Sequence, residues 1–270
     1  ISGTRQWHSE IQKAIETVAE AAGVRLIDFH QGLYARPDLL PDSLHPNTEG
    51  AGILASTVCS TITGDFGGLR MPSVYSDNMV LQRGIPLKFS GTADAGTEVH
   101  VTLEGPFRRI KTQAVADADG RWETSVRPLK AATGITLTIE GGGRKLVYEN
   151  VAAGEVWVCS GQSNMAFMVC ESSDAGPTPS DPDLRFFDMK AMWHTNNVRW
   201  DDEAIASVQR LEYYRPAGWA ACREDNVQTF SAVGYHFGKM LRDSLDVPVG
   251  LICNAVGGSA AESWIDRNTL

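Results

Sequence analysis

Gly154-Glu155-Val156-Trp157-Val158-Cys159-Ser160-Gly161-Gln162-Ser163-Asn164-Met165 is the stretch on which the reading turns. Residues 155–160 form a short apolar run of the buried-strand kind, and the run passes without a spacer into Gly161. A serine two residues further on stands at the strand's carboxyl end. In open α/β sheets, ligands bind at that edge. A helix beginning there would favour a developing oxyanion through its N-terminal amides. Gln162 and Asn164 add polar groups on either side of the hydroxyl. Alone, Gly-x-Ser is better read as a polar strand-to-loop turn, so the decision rests on its surroundings.

Downstream, Val169 to Trp219 is long and irregular, rich in Asp, Pro and Asn. Phe230 to Leu245 is helical, with Val233, Phe237, Met240 and Leu241 on one face. Val247 to Asn254 reads as a buried strand ending at Gly257-Gly258. Two glycines after a strand allow positive φ and let backbone N–H groups converge on an anion. Strand, helix and strand in this order predict an α/β layer.

Upstream, the rhythm differs. Pro86–Ser90, Glu98–Leu103 and Ile135–Ile139 alternate with period two, punctuated by Asp94-Ala95-Gly96, Asp119-Gly120 and Gly141-Gly142-Gly143. Residues 71–150 are therefore expected to be a small antiparallel β-sandwich, with Val99, Val101, Leu103, Trp122, Val126, Leu137 and Ile139 in its core. Before it, His8–Ala22 has helical spacing, Val24–Phe29 reads as a short strand, and a second helix begins after Pro46-Asn47-Thr48, carrying Ile53, Leu54, Val58 and Ile62. The glycine-dense run Thr63–Gly68 marks a boundary. The expected domains are 1–66, 71–150 and 151–270.

The first segment holds Asp42-Ser43-Leu44-His45. An Asp and a His three residues apart can share one pocket, the carboxylate orienting one ring nitrogen while the other takes a serine proton. Asp42-x-x-His45-Pro46-Asn47-x-x-Gly50 ahead of an amphipathic helix resembles the last block of GDSL/SGNH hydrolases. Three further stretches resemble sialate O-acetylesterases and related bacterial carbohydrate acetylesterases. They are Pro72–Arg83, Gly154–Met165, and Pro248–Ile252 running through Gly257-Gly258-Ser259 to Glu262-Ser263-Trp264. The resemblance implies a fold of flavodoxin-like, three-layer SGNH pieces flanking the sandwich. It implies a serine carbohydrate esterase that removes O-acetyl groups from sugars without cofactor or metal. It makes Ser163 the nucleophile, Asp42 and His45 the general-base pair, and Gly257 or Gly258 the oxyanion donor, with Gln162 and Asn164 beside them. Acetylated sialic acid is the substrate implied first, acetylated xylan or pectin next, and a periplasmic or secreted location goes with them.

The order of these blocks departs from the family, which places its serine first and its Asp-x-x-His last. The family's middle block, a Gln-Gly-Glu run and then Asn, is not found. Two arrangements account for this. Either two enzymes stand in tandem, the tail of one before the front of another, or the pieces combine into a permuted site that unites Asp42 and His45 with Ser163. The sequence begins Ile1-Ser2-Gly3-Thr4, has neither an initiator Met nor a signal peptide, and reads as a fragment. The competing reading from another class is a carbohydrate-binding or structural β module flanked by inactive hydrolase remnants.

The totals narrow the partners. A net charge of -9 repels phosphate backbones and argues against nucleic acid. No apolar run approaches the roughly 18 residues of a membrane span. The five cysteines show no C-x-x-C spacing. His8, His30, His100, His194 and His236 lack a partner at useful spacing, and Trp193, Trp200, Trp219 and Trp264 read as core before sugar platform. The acidic loop with Asp174, Asp181, Asp183, Asp201 and Asp202 is expected to be solvated. Oligomeric state is left open.

Overall fold

A computed structural model describes residues 2–173, 178–193, 199–265 and 269, without the side chains of 2–9 and 31. Asp174 and His194, and the side chain of His8, lie outside this description. The chain divides into two compact units, Ile1–Thr63 and Gly64–Leu270.

The first unit is helical. Helix α1 spans Ser2–Ala22, α2 His30–Leu33 and α3 Thr48–Thr63. Gly23, with φ 64°, stands just past the end of α1. The expected strand Val24–Phe29 is not formed. The segment is irregular, its Val24, Leu26 and Phe29 are exposed, and among the described residues of this unit no strand offers it a ladder. Asn47 caps α3, its Oδ1 accepting from Gly50 N at 2.9 Å.

The second unit carries an eight-stranded mixed sheet of order β4-β3-β6-β7-β10-β8-β9, with β1 paired to β7, and a separate two-stranded sheet β2-β5. The strands are β1 Val80–Gln82, β2 Leu87–Thr92, β3 Glu98–Glu104, β4 Ile110–Val115, β5 Arg121–Val126, β6 Ala132–Gly141, β7 Arg144–Gly161, β8 Asp181–Asp188, β9 Trp219–Cys222 and β10 Val249–Ala255. Residues 87–141 form antiparallel pairs around a core that includes Val99, Val101, Leu103, Trp122, Val126, Leu137 and Ile139, each at most 7% exposed. Strand β7 runs unbroken through residue 150. It pairs antiparallel with β6 as far as Ala153 and parallel with β10 from Glu155. The antiparallel and parallel strands are thus one sheet, and the chain is a mixed α/β protein.

Two readings need correction. Asp181–Asp188, expected to be solvated loop, is an inner strand between β10 and β9. Leu184, Phe186 and Phe187 are buried, while Asp181 and Asp183 approach the Arg242 guanidinium at 3.6 and 3.5 Å. Within the same irregular stretch lies α5 (Asp202–Gln209), where Asp201 accepts from Ala204 N at 2.8 Å as the N-cap. A short α6 (Glu224–Val227) precedes α7 (Ala232–Leu245). The second correction is the face of α7. Val233 and Met240 are exposed, and the buried side is Ala232, Gly234, Tyr235 and Gly238. A Cβ on Gly238 would stand 2.6 Å from Leu251 Cδ1, so glycines bring this helix closer to the sheet than an aliphatic stripe could.

Candidate active site

Ser163 opens a four-residue helix, α4 (Ser163–Ala166), directly beyond the carboxyl end of β7, and is exposed. The turn needs its glycine, because Gly161 has φ 148°, a region L side chains rarely adopt. The carbonyl of Gln162 accepts from Met165 N at 3.0 Å and Ala166 N at 2.9 Å, so the first turn is closed. As first residues of a helix, Ser163 and Asn164 have no intrahelical acceptor for their N–H groups. The Ser163 hydroxyl donates to Gln162 Oε1 at 3.3 Å.

The segment after the serine is stapled to the start of α7. Ala232 N donates to Phe167 O at 2.8 Å, and Val169 N to Phe230 O at 3.0 Å. Buried Ser231 caps α7 by accepting from Gly234 N at 3.1 Å, and its hydroxyl donates to Met165 Sδ at 3.4 Å. Phe230 stacks on Phe186 of β8 with centroids 4.1 Å apart. The serine turn is thereby referenced to both strand and helix.

Gly257 and Gly258 lie just beyond β10, whose last residue, Ala255, is beside Gly161 in the register. Val256 N donates to Gly161 O at 3.0 Å, which brings this turn next to the serine turn. Gly258 has φ 77°, and the turn is closed by Ser259 Oγ donating to Val256 O at 2.8 Å. Trp264 Nε1 donates in turn to Ser259 Oγ at 2.9 Å.

In the first unit, Asp42 and His45 form a pair. Asp42 Oδ2 meets His45 Nδ1 at 2.7 Å, while Asp42 Oδ1 accepts from His45 N at 2.6 Å and Leu44 N at 3.0 Å. Ser43 takes φ 64° to make this turn. The backbone N–H of His45, then its ring and the N–H of Leu44, hold the Asp42 carboxyl below its ordinary range. With Nδ1 engaged, Nε2 is the nitrogen left to exchange a proton. Both side chains are exposed, at 55% and 76%. The support is local. Asn47 N donates to Leu39 O at 2.9 Å, Asn47 Nδ2 to Asp38 O at 2.9 Å, and Arg36 clamps Asp38 through two nitrogens.

Several supporting groups were not evident in the sequence. Arg185 of β8 is 1% exposed and donates to three backbone carbonyls, those of Pro182 (3.0 Å), Asn78 (3.1 Å) and Asn150. Asn78 and Asn150 both have positive φ and are joined by Asn150 Nδ2 donating to Asn78 Oδ1 at 2.8 Å. Asp77 Oδ1 accepts from Glu149 N at 2.7 Å. The Ser76–Met79 run is thus a brace against β7. Near the serine edge, Tyr214 donates to Asn254 Oδ1 at 2.7 Å. Two register rows below Gly161 lie Cys159, Cys253 and Asp188, side by side on three strands. Burial raises all three, the Cys253 thiol to about 12, and the nearby Lys190 ammonium pulls Asp188 partly back. Trp219 is core, and its Nε1 donates to Val74 O at 2.9 Å. His100 and His236 are exposed.

Residues 153–270 match the family described as carbohydrate esterase, sialic acid-specific acetylesterase. That range holds Ser163, Gly257 and Gly258 and excludes Asp42 and His45. The chain is 28% identical over 235 residues to sialate O-acetylesterase of Rattus norvegicus, covering 81% of this chain and 42% of that protein. It is 30% identical over 216 residues to the Mus musculus protein of the same name, covering 75% and 38%. A crystal structure of a carbohydrate acetylesterase from Xanthomonas citri superposes with a TM-score of 0.60 at 30% identity, over 74% of this chain and 43% of that one. The chain resembles sialate O-acetylesterases, and it spans about two fifths of the length of these curated relatives.

Proposed function

We propose that the protein is a serine-dependent carbohydrate O-acetylesterase in which Ser163 is the nucleophile. The observation that carries this reading is the exposed Ser163 at the carboxyl end of β7, with the Gly257-Gly258 turn held next to it by Val256 N on Gly161 O. In the proposed reaction, Ser163 Oγ attacks the acetyl carbonyl and an imidazole takes its proton. Backbone N–H groups of Ser163 and of Gly258 or Gly257 stabilise the tetrahedral oxyanion. The sugar alkoxide leaves with the imidazole's proton, and water then releases acetate by the same route. Gln162 and Asn164 flank the acyl position. No metal or cofactor takes part.

Asp42–His45 has the local geometry of a triad's base, a carboxylate on Nδ1 and a free Nε2. We assign it the role of a serine's base, acting with Ser163 or with the serine of a separate tandem domain. The range 153–270 of the matching family supports 151–270 as the front of a hydrolase domain, and the helical first unit supports 1–66 as the tail of another. The substrate reading starts with O-acetylated sialic acid, the class named by the relatives, and extends to acetylated xylan or pectin. The exposed serine and the family match favour this over the carbohydrate-binding or structural reading.

The test is hydrolysis of 4-nitrophenyl acetate and of O-acetylated sialic acid, with phosphonylation of the protein by a fluorophosphonate read by mass spectrometry. Label on Ser163, and turnover lost in Ser163→Ala, is expected. Turnover surviving that change overturns the reading. His45→Ala and Asp42→Asn then assign the base. Loss matching that of Ser163→Ala makes the pair its partner, and unchanged turnover makes it the base of another serine.

A further inference from the structure

The solvent-facing side of the β3, β4 and β6 strands carries a depression of about 450 Å³, inside the range of about 300–1,000 Å³ typical of small-molecule sites. Its lining includes His100, Thr102, Lys111, Gln113 and Glu140. Register explains why they converge. His100 stands opposite Gln113 on one neighbouring strand and Glu140 on the other, and Thr102 stands opposite Lys111. Such cross-strand neighbours sit about 5 Å apart at Cβ. Thr102 is only 7% exposed although its strand faces water here, because longer side chains rise around it. The result is a polar trough with a hydroxyl in its floor and an imidazole, an amide, a carboxylate and an ammonium on its rim.

From this geometry we infer that the trough is a second binding site, for a sugar that carries a carboxylate. Closely spaced donors and acceptors of this kind match vicinal sugar hydroxyls, which need both at once. The charges narrow the class. Glu140 is paired with Lys145 at 3.3 Å, and Glu98 lies 3.8 Å from His100 Nε2. Among the described residues Lys111 has no carboxylate at ion-pair distance, so it is the cation available to an anionic ligand. A charge-assisted bond to Lys111 fixes the sugar's carboxylate, and Gln113, His100 and Thr102 take its hydroxyls. The site lies on strands remote in sequence from Ser163; binding there does not depend on that serine, whereas its use to the enzyme rests on the proposed function. It would hold a glycan chain on the enzyme between deacetylation events, so its value lies in affinity for the polymer, not in chemistry.

The probe is 3′-sialyllactose, which has the carboxylate and no acetyl ester, titrated into the full chain by calorimetry, with lactose as the neutral comparison. Millimolar or tighter binding to sialyllactose is expected, at least tenfold weaker for lactose and at least tenfold weaker in Lys111→Ala/Gln113→Ala. Hydrolysis of 4-nitrophenyl acetate by that double variant should equal the parent's. No binding up to about 10 mM overturns the inference. So does binding that the double variant leaves unchanged, which would locate the ligand elsewhere, and so does equal affinity for lactose, which would remove the role of Lys111.

Discussion

Replacing Arg185 with methionine tests how the parallel and antiparallel parts of the large sheet are held together. Methionine keeps most of the volume and removes the guanidinium. In the parent, Nε donates to Pro182 O, and Nη1 to Asn78 O and Asn150 O, all in a site where the residue is 1% exposed. Burial pulls the Arg185 pKa down and Asp183 pulls it back, so the charge is carried at a desolvation cost. Methionine recovers that cost, but the three carbonyls belong to the backbone and cannot be replaced. Each buried acceptor left without a donor costs about 1–3 kcal/mol. With the recovered desolvation set against the sum, a net loss of about 3–5 kcal/mol is expected, the range for breaking a buried charged network. For a unit of this size that is a fall in Tm of roughly 10 °C. Urea unfolding monitored by tryptophan fluorescence reads it directly, since six of the seven tryptophans lie in Gly64–Leu270. A loss under about 1 kcal/mol would refute the argument, because it would mean the carbonyls find other donors or water at no cost.

Gly161→Ala places a side chain at φ 148° and 3.4 Å from Met165 Cβ, so the contact is tolerable and the backbone is not. Strain of about 1–3 kcal/mol should shift the serine turn and lower kcat at least tenfold with little change in KM, and an unaltered kcat would contradict the role of this glycine. The thiols should divide sharply. Exposed Cys59 and Cys170 should react with Ellman's reagent in the native protein, whereas buried Cys159, Cys222 and Cys253, all raised by burial, should react only on unfolding; rapid native labelling of Cys253 would show that its strand is open. Asp188 has its pKa raised by burial, so its contribution to stability is full at pH below the unfolded value and is lost as pH rises through the folded one. Asp188→Asn should therefore gain on the parent as pH is taken from about 4 to 7, and a difference that is flat or of the opposite sign in urea midpoints would exclude this account.

Much of the fold was readable because its signals are local. The apolar run Val156–Cys159 does form part of β7, although only Cys159 of it is buried and Trp157 and Val158 are exposed, and Gly161 is required by a turn that only glycine makes easily. The alternation around Val99, Val101 and Leu103 survives because one face of β3 is buried and the other wet. Asp42-x-x-His45 was legible for the same reason, its hydrogen bonds spanning three residues. Strand β8 was hidden because Asp181, Asp183 and Arg185 look like a solvated loop, and what neutralises them lies far away in sequence. Arg242 is 59 residues from Asp183, and Asn78 is 107 from Arg185. The α7 face was misjudged because hydrophobicity ranks Val233 and Met240 above Gly234 and Gly238, while the sheet selects residues by how closely they let the helix approach. Val24–Phe29 has strand composition and no strand to pair with, and a ladder needs two.

The long strand β7 gives these parts one purpose. Its first half is a member of the antiparallel layer and its second half ends at the Ser163 turn, so any tilt of the layer against the parallel strands would swing Ser163. The crossover is where such a tilt would begin, and it is locked from every side. Arg83 N donates to Gly154 O at 2.8 Å, Val156 N to Gln82 Oε1 at 2.8 Å, and Glu155 N to Pro248 O at 2.9 Å. The Arg83 and Glu155 side chains pair at 2.8 Å. Gly154 admits no side chain, since a Cβ there would lie 1.9 Å from Pro248 O. Catalytic groups lose rate when displaced by about 1 Å. A strand fixed at its midpoint by backbone bonds on both edges transmits little of the motion of its outer end. On this reasoning the antiparallel layer is a mount for the strand that carries Ser163, separately from any glycan it binds on its outer face.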